Sequence, residues 1–382
     1  MSPSRPRRGQ RNGSGPDLGR RRLLLALAAA PALGWAEGPA PQGVRFAEVR
    51  PRPLVFPRDH GAHPDYRIEW WYLTGWLDAE TGPLGLPLGI QVTFFRTRTP
   101  IDPANPSRFA AHQLIIAHAA IADPARGSLL KDERVARTGL GLAGASESDT
   151  EVWLDRWTFR RDPAGHYRCE IPAPGFDLRF TATPTQPVLL QGEAGFSRKG
   201  PRMEQASHYY SAPHLEVQAT LTREGERLEA RGRAWLDHEW SSTLLDPEAA
   251  GWDWIGMNLD DGSALTAFQI RARQSGTPIY AYASLRGPGS ARVQTFPPEA
   301  VHFEPLADWT SPRTGARYPV SQRIRVGDRV FETEPLFEDQ ELDSRASAGA
   351  VYWEGASRLR ESGRLVGRGY LELTGYAAPL RL

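Results

Sequence analysis

From about Phe46 onward the chain runs in short apolar or alternating segments separated by turn residues. "IEWWYLTGWL", "LGIQVTFFRTR", "HQLIIAHAAI", "RLEARGRAWL", "DWIGMNL", "ALTAFQIRAR" and "GRGYLELTGY" are rich in Val, Ile, Trp, Tyr and Phe, the pattern of half-buried or fully buried strands. Gly, Pro and Asp punctuate them in "DAETGPLG", "RDPAGH", "REGE" and "DDGS". No long stretch carries a helical period, and "NPSRFAAHQLIIAHAAI" reads as a loop followed by a strand. The expected fold class is all-β, a sandwich or barrel with short hairpins.

A weak internal repeat refines this. When Leu77-Asp78 is laid on Leu259-Asp260, Trp70 meets Trp252 and Tyr72 meets Trp254. Each segment turns and returns as a strand, with Arg96 and Arg98 in one copy and Arg271 and Arg273 in the other. Two β-units are therefore expected, residues 45–225 and 226–382, divided in the polar "TREGER".

With 382 residues, 40% of them hydrophobic, the chain can bury the core of one large or two ordinary domains. Its 12 Trp, 14 Phe and 11 Tyr suit a large apolar site. The lone Cys169 excludes an intrachain disulfide and, with no neighbouring His or second Cys, reads as structural. Of 46 basic residues only Lys131 and Lys199 are lysines.

The N-terminus reads as a targeting segment. Arg20, Arg21 and Arg22 precede "LLLALAAAPALGWA", an apolar run too short to span a bilayer and ending in small residues. The arginine pair suits twin-arginine export, and an ordinary secretory signal fits as well. Cleavage is expected near Ala36, giving a periplasmic or secreted protein. Removing residues 1–36 takes away seven Arg and one Asp, leaving 39 basic and 44 acidic residues, a net of −5. Such a mildly acidic chain does not suit a nucleic-acid partner.

Three stretches carry candidate chemistry. In "FPRDHGAHPDYRIEWWYLTG", Asp59, His60, His63 and Asp65 cluster in one loop. They match no metal-ligand spacing, so the loop reads as polar packing over a barrel end and no metal or cofactor is expected. Along the next strand Trp70, Tyr72 and Thr74 face one way and Trp71, Leu73 and Gly75 the other, so both faces are apolar and covered. "ASHYYSAPHLEVQATL" offers His208, Tyr209, Tyr210 and His214, where the phenols serve either packing or proton donation. In "WLDHEW", alternation puts Trp235, Asp237 and Glu239 on one face and Leu236, His238 and Trp240 on the other. Those acids either reach solvent or an arginine, or are held among aromatics with raised pKa as a general acid requires. A nucleophile elbow is missing around Ser207 and Ser211, and "GLGLAG" lacks the helix of a phosphate loop.

Taken together, "FPRDHGAHPDYRIEWWYLTG", "KGPRMEQASHYYSAPHL", "WLDHEWSS", "GWDWIGMNLDDG", "YWEG" and "GRGYLELTGY" resemble the AttH-type lipocalin-like family, which includes the carotenoid 1,2-hydratases (hydroxyneurosporene synthases). The motifs run in order from residue 56 to 376. The resemblance implies two tandem lipocalin-like β-barrels and pocket chemistry on, or carriage of, apolar molecules. By motif match Asp237 is the acid that protonates an alkene, His238 its positioning partner, and Trp240, Trp252 and Trp254 an aromatic wall. Glu239 and Tyr209 complete the catalytic candidates; Trp70, Trp71, Tyr72 and Tyr210 join the ligand-binding set. The hydratase pattern carries a Tyr and an Asp on a following strand, where this chain has Phe268 and Gln269 in "LTAFQIR". The expected partner is a hydrophobic small molecule, a carotenoid, isoprenoid or lipid, with a peripheral membrane contact left open. An enzyme of hydratase or hydrolase-like type is the favoured reading, and a non-catalytic periplasmic carrier its rival.

Overall fold

The computed structural model describes residues 44–79, 87–243 and 245–380. The targeting segment expected at 1–36 lies outside these residues. The described chain is built from antiparallel strands with two short 3-10 turns, Arg58–His60 and Pro298–Ala300.

Two sheets account for the strands. The first contains β1 (Ile68–Ala79), β2 (Leu88–Arg98), β3 (Gln113–Asp123), β4 (Ser128–Arg137), β5 (Ala143–Ala145), β6 (Glu151–Leu154), β7 (Trp157–Arg161), β8 (Tyr167–Ala173), β9 (Phe176–Pro184), β10 (Leu189–Leu190), β11 (Phe196–Arg198), β12 (Ala206–Arg223) and β13 (Glu226–Thr243). The second contains β14 (Ala249–Leu259), β15 (Ala264–Ala272), β16 (Pro278–Arg286), β17 (Val293–Phe296), β18 (Val301–Thr310), β19 (Arg317–Val326), β20 (Arg329–Pro335), β21 (Glu341–Ser344), β22 (Ala350–Glu361) and β23 (Arg364–Leu373).

The spatial orders are β4-β3-β2-β1-β13-β12-β9-β8-β7-β6-β5 and β17-β16-β15-β14-β23-β22-β20-β19-β18. In each, the first strand sits between the second and the last, so the repeat seen in the sequence is a repeat of topology. The paired arginines also recur as ion pairs: Arg96 with Glu69 on β1, and Arg271 with Asp253 on β14. Residues 224–225 form the tip of the β12–β13 hairpin inside the first sheet. The chain instead crosses between sheets after Thr243 and before Ala249, which moves the division expected at residue 225 by about one strand length. A polar turn marks a hairpin and a linker alike, so its composition could not choose between them.

Strand β1 is covered on both faces. Trp71, Leu73 and Leu77 enter the first sheet's interior with Ile90, Val92, Phe94 and Leu236. Tyr72 and Trp76 face the second sheet, where they pack with Trp235, Trp254, Phe268, Tyr282 and Tyr370. A third core, around Ile255, Met257, Trp353 and Leu371, fills the second sheet. Cys169 lies in the first core, where burial pushes its thiol well up, as suits an inert structural cysteine.

Candidate functional site

The ribbon β1–β13–β12 carries polar groups on both faces, and its register sorts them. Tyr72 lies opposite Asp237 and Trp71 opposite His238. Asp237 lies opposite Ser211, and His238 opposite Tyr210. Period-2 alternation therefore sends Tyr72, Tyr209, Ser211, Asp237 and Glu239 between the sheets, and Trp71, Tyr210, His238 and Trp240 to the interior side of the first. A bulge between Ala212 and Leu215, with His214 at φ 51°, re-aims β12 just beyond the site. His214 itself ties the sheets together: its N–H donates to Asn258 Oδ1 at 2.8 Å, and its Nε2 lies 2.8 Å from the Ser263 carbonyl.

Between the sheets, Asp237 is 3% exposed. It accepts from Tyr209 Oη at 2.6 Å, Ser211 Oγ at 2.6 Å and Trp235 Nε1 at 2.7 Å. No basic residue pairs with it among the described residues. Burial pushes its pKa up to about 7; the hydrogen bonds from Ser211, Tyr209 and Trp235 restrain the rise, and nearby Glu239 adds to it. Of the aromatic wall expected around it, Trp254 and Trp252 lie on this face, while Trp240 points to the opposite one and stacks on His63. Trp254 Nε1 donates to Tyr209 Oη at 3.2 Å, and the Trp254 ring meets Tyr72 edge-on at 5.4 Å. Trp70 and Trp252 pack half-buried against the same cluster.

Three residues complete this face that the motifs contained but sequence reasoning did not single out. Lys199 Nζ lies 3.0 Å from Glu239 Oε1 and sits over the rings of Tyr209 and Phe268 at 4.5 and 4.2 Å. Its rarity among 46 basic residues was the available signal. Glu354 on β22 and Glu372 on β23 lie opposite each other in register. Burial, then its neighbour Glu372, drives Glu354 well above the carboxylate range, and burial pushes Glu372 up to about 7.

The interior face is organised differently. Glu69, fully buried, accepts from the His63 backbone N–H at 2.8 Å and from Arg96 Nε at 2.7 Å. His63 Nδ1 and His238 Nε2 also lie 2.7 and 2.9 Å from its Oε1. Burial alone would raise Glu69, but the charges of His63 and Arg96 outweigh it and hold the carboxyl well below its usual range. His63 Nε2 lies 3.0 Å from Asp59, which is clamped by Arg52 at 2.8 and 2.9 Å. Tyr210 Oη bridges His60 at 2.7 Å and His238 at 3.2 Å. Trp240 stacks on His63 at 3.7 Å and Trp71 on His238 at 4.7 Å. Gly61 permits this closure, since a Cβ there would sit 2.5 Å from the Glu147 carbonyl.

His63, Glu69 and His238 stand close enough to share a metal ion. Their donor atoms are already joined to one another, and the second nitrogen of each histidine is taken by Asp59 or Tyr210. Arg96 supplies the positive charge, so the chemistry of this set fits a closed hydrogen-bond network over the barrel end. Asp65, from the same loop, is exposed and pairs loosely with Arg98. His238 is thereby separated from Asp237: it holds Glu69 and Tyr210 on the opposite face and cannot position the acid by contact, because adjacent strand residues point to opposite sides.

A family model described as AttH-like matches residues 47–376. The AttH protein of Nitrosomonas europaea is 54% identical and superposes with a TM-score of 0.81 over 87% of this chain and 99% of its own. Kievitone hydratase from Nectria haematococca has the same fold at 16% identity, with a TM-score of 0.64 over 89% of this chain and 98% of its own. CghA, solved with Sch210972, follows at 14% identity and a TM-score of 0.52, covering 82% of this chain and 90% of its own. No curated protein matches the chain.

Proposed function

The chain belongs to the AttH-like family, and on that premise we propose that it is an exported hydratase-type enzyme. In this reading it binds an unsaturated, largely apolar ligand, an isoprenoid or lipid, between its two sheets and protonates it with Asp237. The observation that carries the reading is Asp237 itself: a carboxyl held among Trp235, Tyr209 and Trp254, without a basic partner among the described residues, and pushed by burial up to about 7. A buried acid kept only for packing is usually matched by a cation, as Glu69 is by Arg96.

The step balances as a hydration. Asp237 Oδ2 delivers its proton to one alkene carbon. Water adds to the carbon left cationic, and the proton it sheds returns to Asp237. Indole and phenol faces of Trp254, Tyr209 and Tyr72 stabilise the intermediate by about 1–2 kcal/mol each. Tyr209, bonded to both Trp254 and Asp237, fixes the acid's rotamer.

The test is incubation with lipid-soluble extracts of the source organism. Wild type is expected to yield a product one water heavier; Asp237→Asn should lose this by about 100-fold or more. Equal product from both would remove the acid and leave a carrier. For export, N-terminal sequencing of the periplasmic form should begin near residue 37, and an intact Met1 would contradict it.

A further inference from the structure

We infer that the ligand carries a head group that donates hydrogen bonds, a hydroxyl or an ammonium, seated between β1–β2 and β22–β23, and is not a plain hydrocarbon. The inference deepens the reading above and rests on it for the ligand's place between the sheets.

Four polar atoms on these strands are buried without a hydrogen-bond partner: Tyr72 Oη, Thr74 Oγ1, Gln91 Oε1 and Glu354 Oε2. Their residues are 6%, 1%, 1% and 4% exposed. The register gathers them. Tyr72 and Thr74 lie two apart on one face of β1, Gln91 lies opposite Thr74, and Thr93 opposite Tyr72. The Gln91 amide nitrogen is taken by Thr93, which leaves its oxygen. Burial, then Glu354 and Glu372 facing it from the other sheet, pushes the Tyr72 phenol well up, and Glu354 is near enough for the two side chains to act directly on each other.

The sheets approach closely around this group. Trp76 Nε1 donates to the Gly369 carbonyl at 2.9 Å, and a Cβ on Gly89 would fall 2.6 Å from Tyr370 Oη. The Trp254 ring closes on Tyr72 at 5.4 Å.

A buried polar atom left unmatched is destabilising, and most such atoms in folded proteins are matched. Four together on facing strands point to a common occupant. Tyr72, Thr74 and the protonated Glu354 can each donate or accept. Gln91 Oε1 can only accept, and so can Glu354 once ionised. An alkyl chain would leave every one bare, whereas a hydroxyl can donate to Gln91 Oε1 and accept from Tyr72 and Thr74, and an ammonium can donate to Gln91 and to Glu354 once that is ionised.

The two donor types separate by pH. The charged or titratable groups facing the site are Tyr72 from β1, Tyr209 from β12, Asp237 and Glu239 from β13, Lys199 after β11, Tyr352, Glu354 and Arg358 from β22, and Arg368, Tyr370 and Glu372 from β23. Lys199 is committed to Glu239, so an ammonium would require ionised Glu354 or Glu372. Its affinity would rise with pH as Glu372 deprotonates near 7, and that of a neutral hydroxyl would not.

The test is calorimetric titration of the full chain with 4-hexylphenol, its methyl ether 4-hexylanisole and 4-hexylbenzylammonium, at about pH 6 and about pH 8. The phenol or the ammonium should bind at least about tenfold more tightly than the ether. That gap should shrink to about threefold or less in Thr74→Val and in Glu354→Gln, two variants in case one fails to fold. An ether that binds as tightly as the better donor, a gap unchanged in both variants, or no binding by any probe would overturn the inference. If the gap stands while Asp237→Asn turns over like wild type, the acid-catalysis reading falls and this one survives.

Discussion

Tyr209 donates to Asp237 across the β12–β13 pair at 2.6 Å, and the acid it reaches has no basic partner among the described residues. The bond favours the ionised form of Asp237 and partly offsets the desolvation that opposes it. Removing it should therefore raise the acid's pKa further. Tyr209→Phe is predicted to shift the alkaline fall of turnover, expected near pH 7 in wild type, to higher pH. A purely structural tyrosine would lower activity at every pH without moving the profile.

Stability should carry the same signature. The folded pKa of Asp237 is raised above its unfolded value, so the folded state holds more protons between roughly pH 4 and 7, and the acid's contribution to stability declines as pH rises through that window. Asn does not titrate. Urea unfolding should show Asp237→Asn gaining on wild type by about 3 kcal/mol between about pH 5 and pH 8, from roughly two pH units at 1.4 kcal/mol each. A difference that stays flat with pH would mean Asp237 is ionised throughout.

Lys199 is predicted to matter through Glu239, its buried ion-pair partner. Lys199→Met leaves that carboxylate uncompensated and should destabilise by roughly 3–5 kcal/mol, while Lys199→Met with Glu239→Gln should recover most of the loss. A double-mutant cycle in urea checks this, and additive losses would show that the two do not act as a pair.

On the opposite face, Glu69→Gln strips Arg96 of its partner and should also cost roughly 3–5 kcal/mol. With structure restored at low temperature, turnover per folded molecule should match wild type. Loss of turnover in fully folded protein would move the catalytic site into the first sheet's interior.

Much of this was legible beforehand because strands have a two-residue period. Alternation alone put Trp235, Asp237 and Glu239 on one side and His238 and Trp240 on the other, and β13 does this. The double coverage of β1 followed from apolar residues on both its faces. What stayed hidden was long-range. Nothing local says that Glu69 lies beside His238, 169 positions away. Glu354 and Glu372 looked like ordinary strand acids until register set them opposite each other. Motif matching also joined His238 to Asp237 because they are neighbours in sequence, which on a strand sends them apart.

The central claim is that Asp237 keeps its proton far above the range of an ordinary aspartate in the folded protein. The most direct measurement is a pH titration of aspartate side-chain carboxyls by carbon-13 NMR on labelled full-length protein, with the Asp237→Asn spectrum identifying the resonance. The account predicts a midpoint near 7. A midpoint at about 4, the range of an ordinary aspartate, would contradict it.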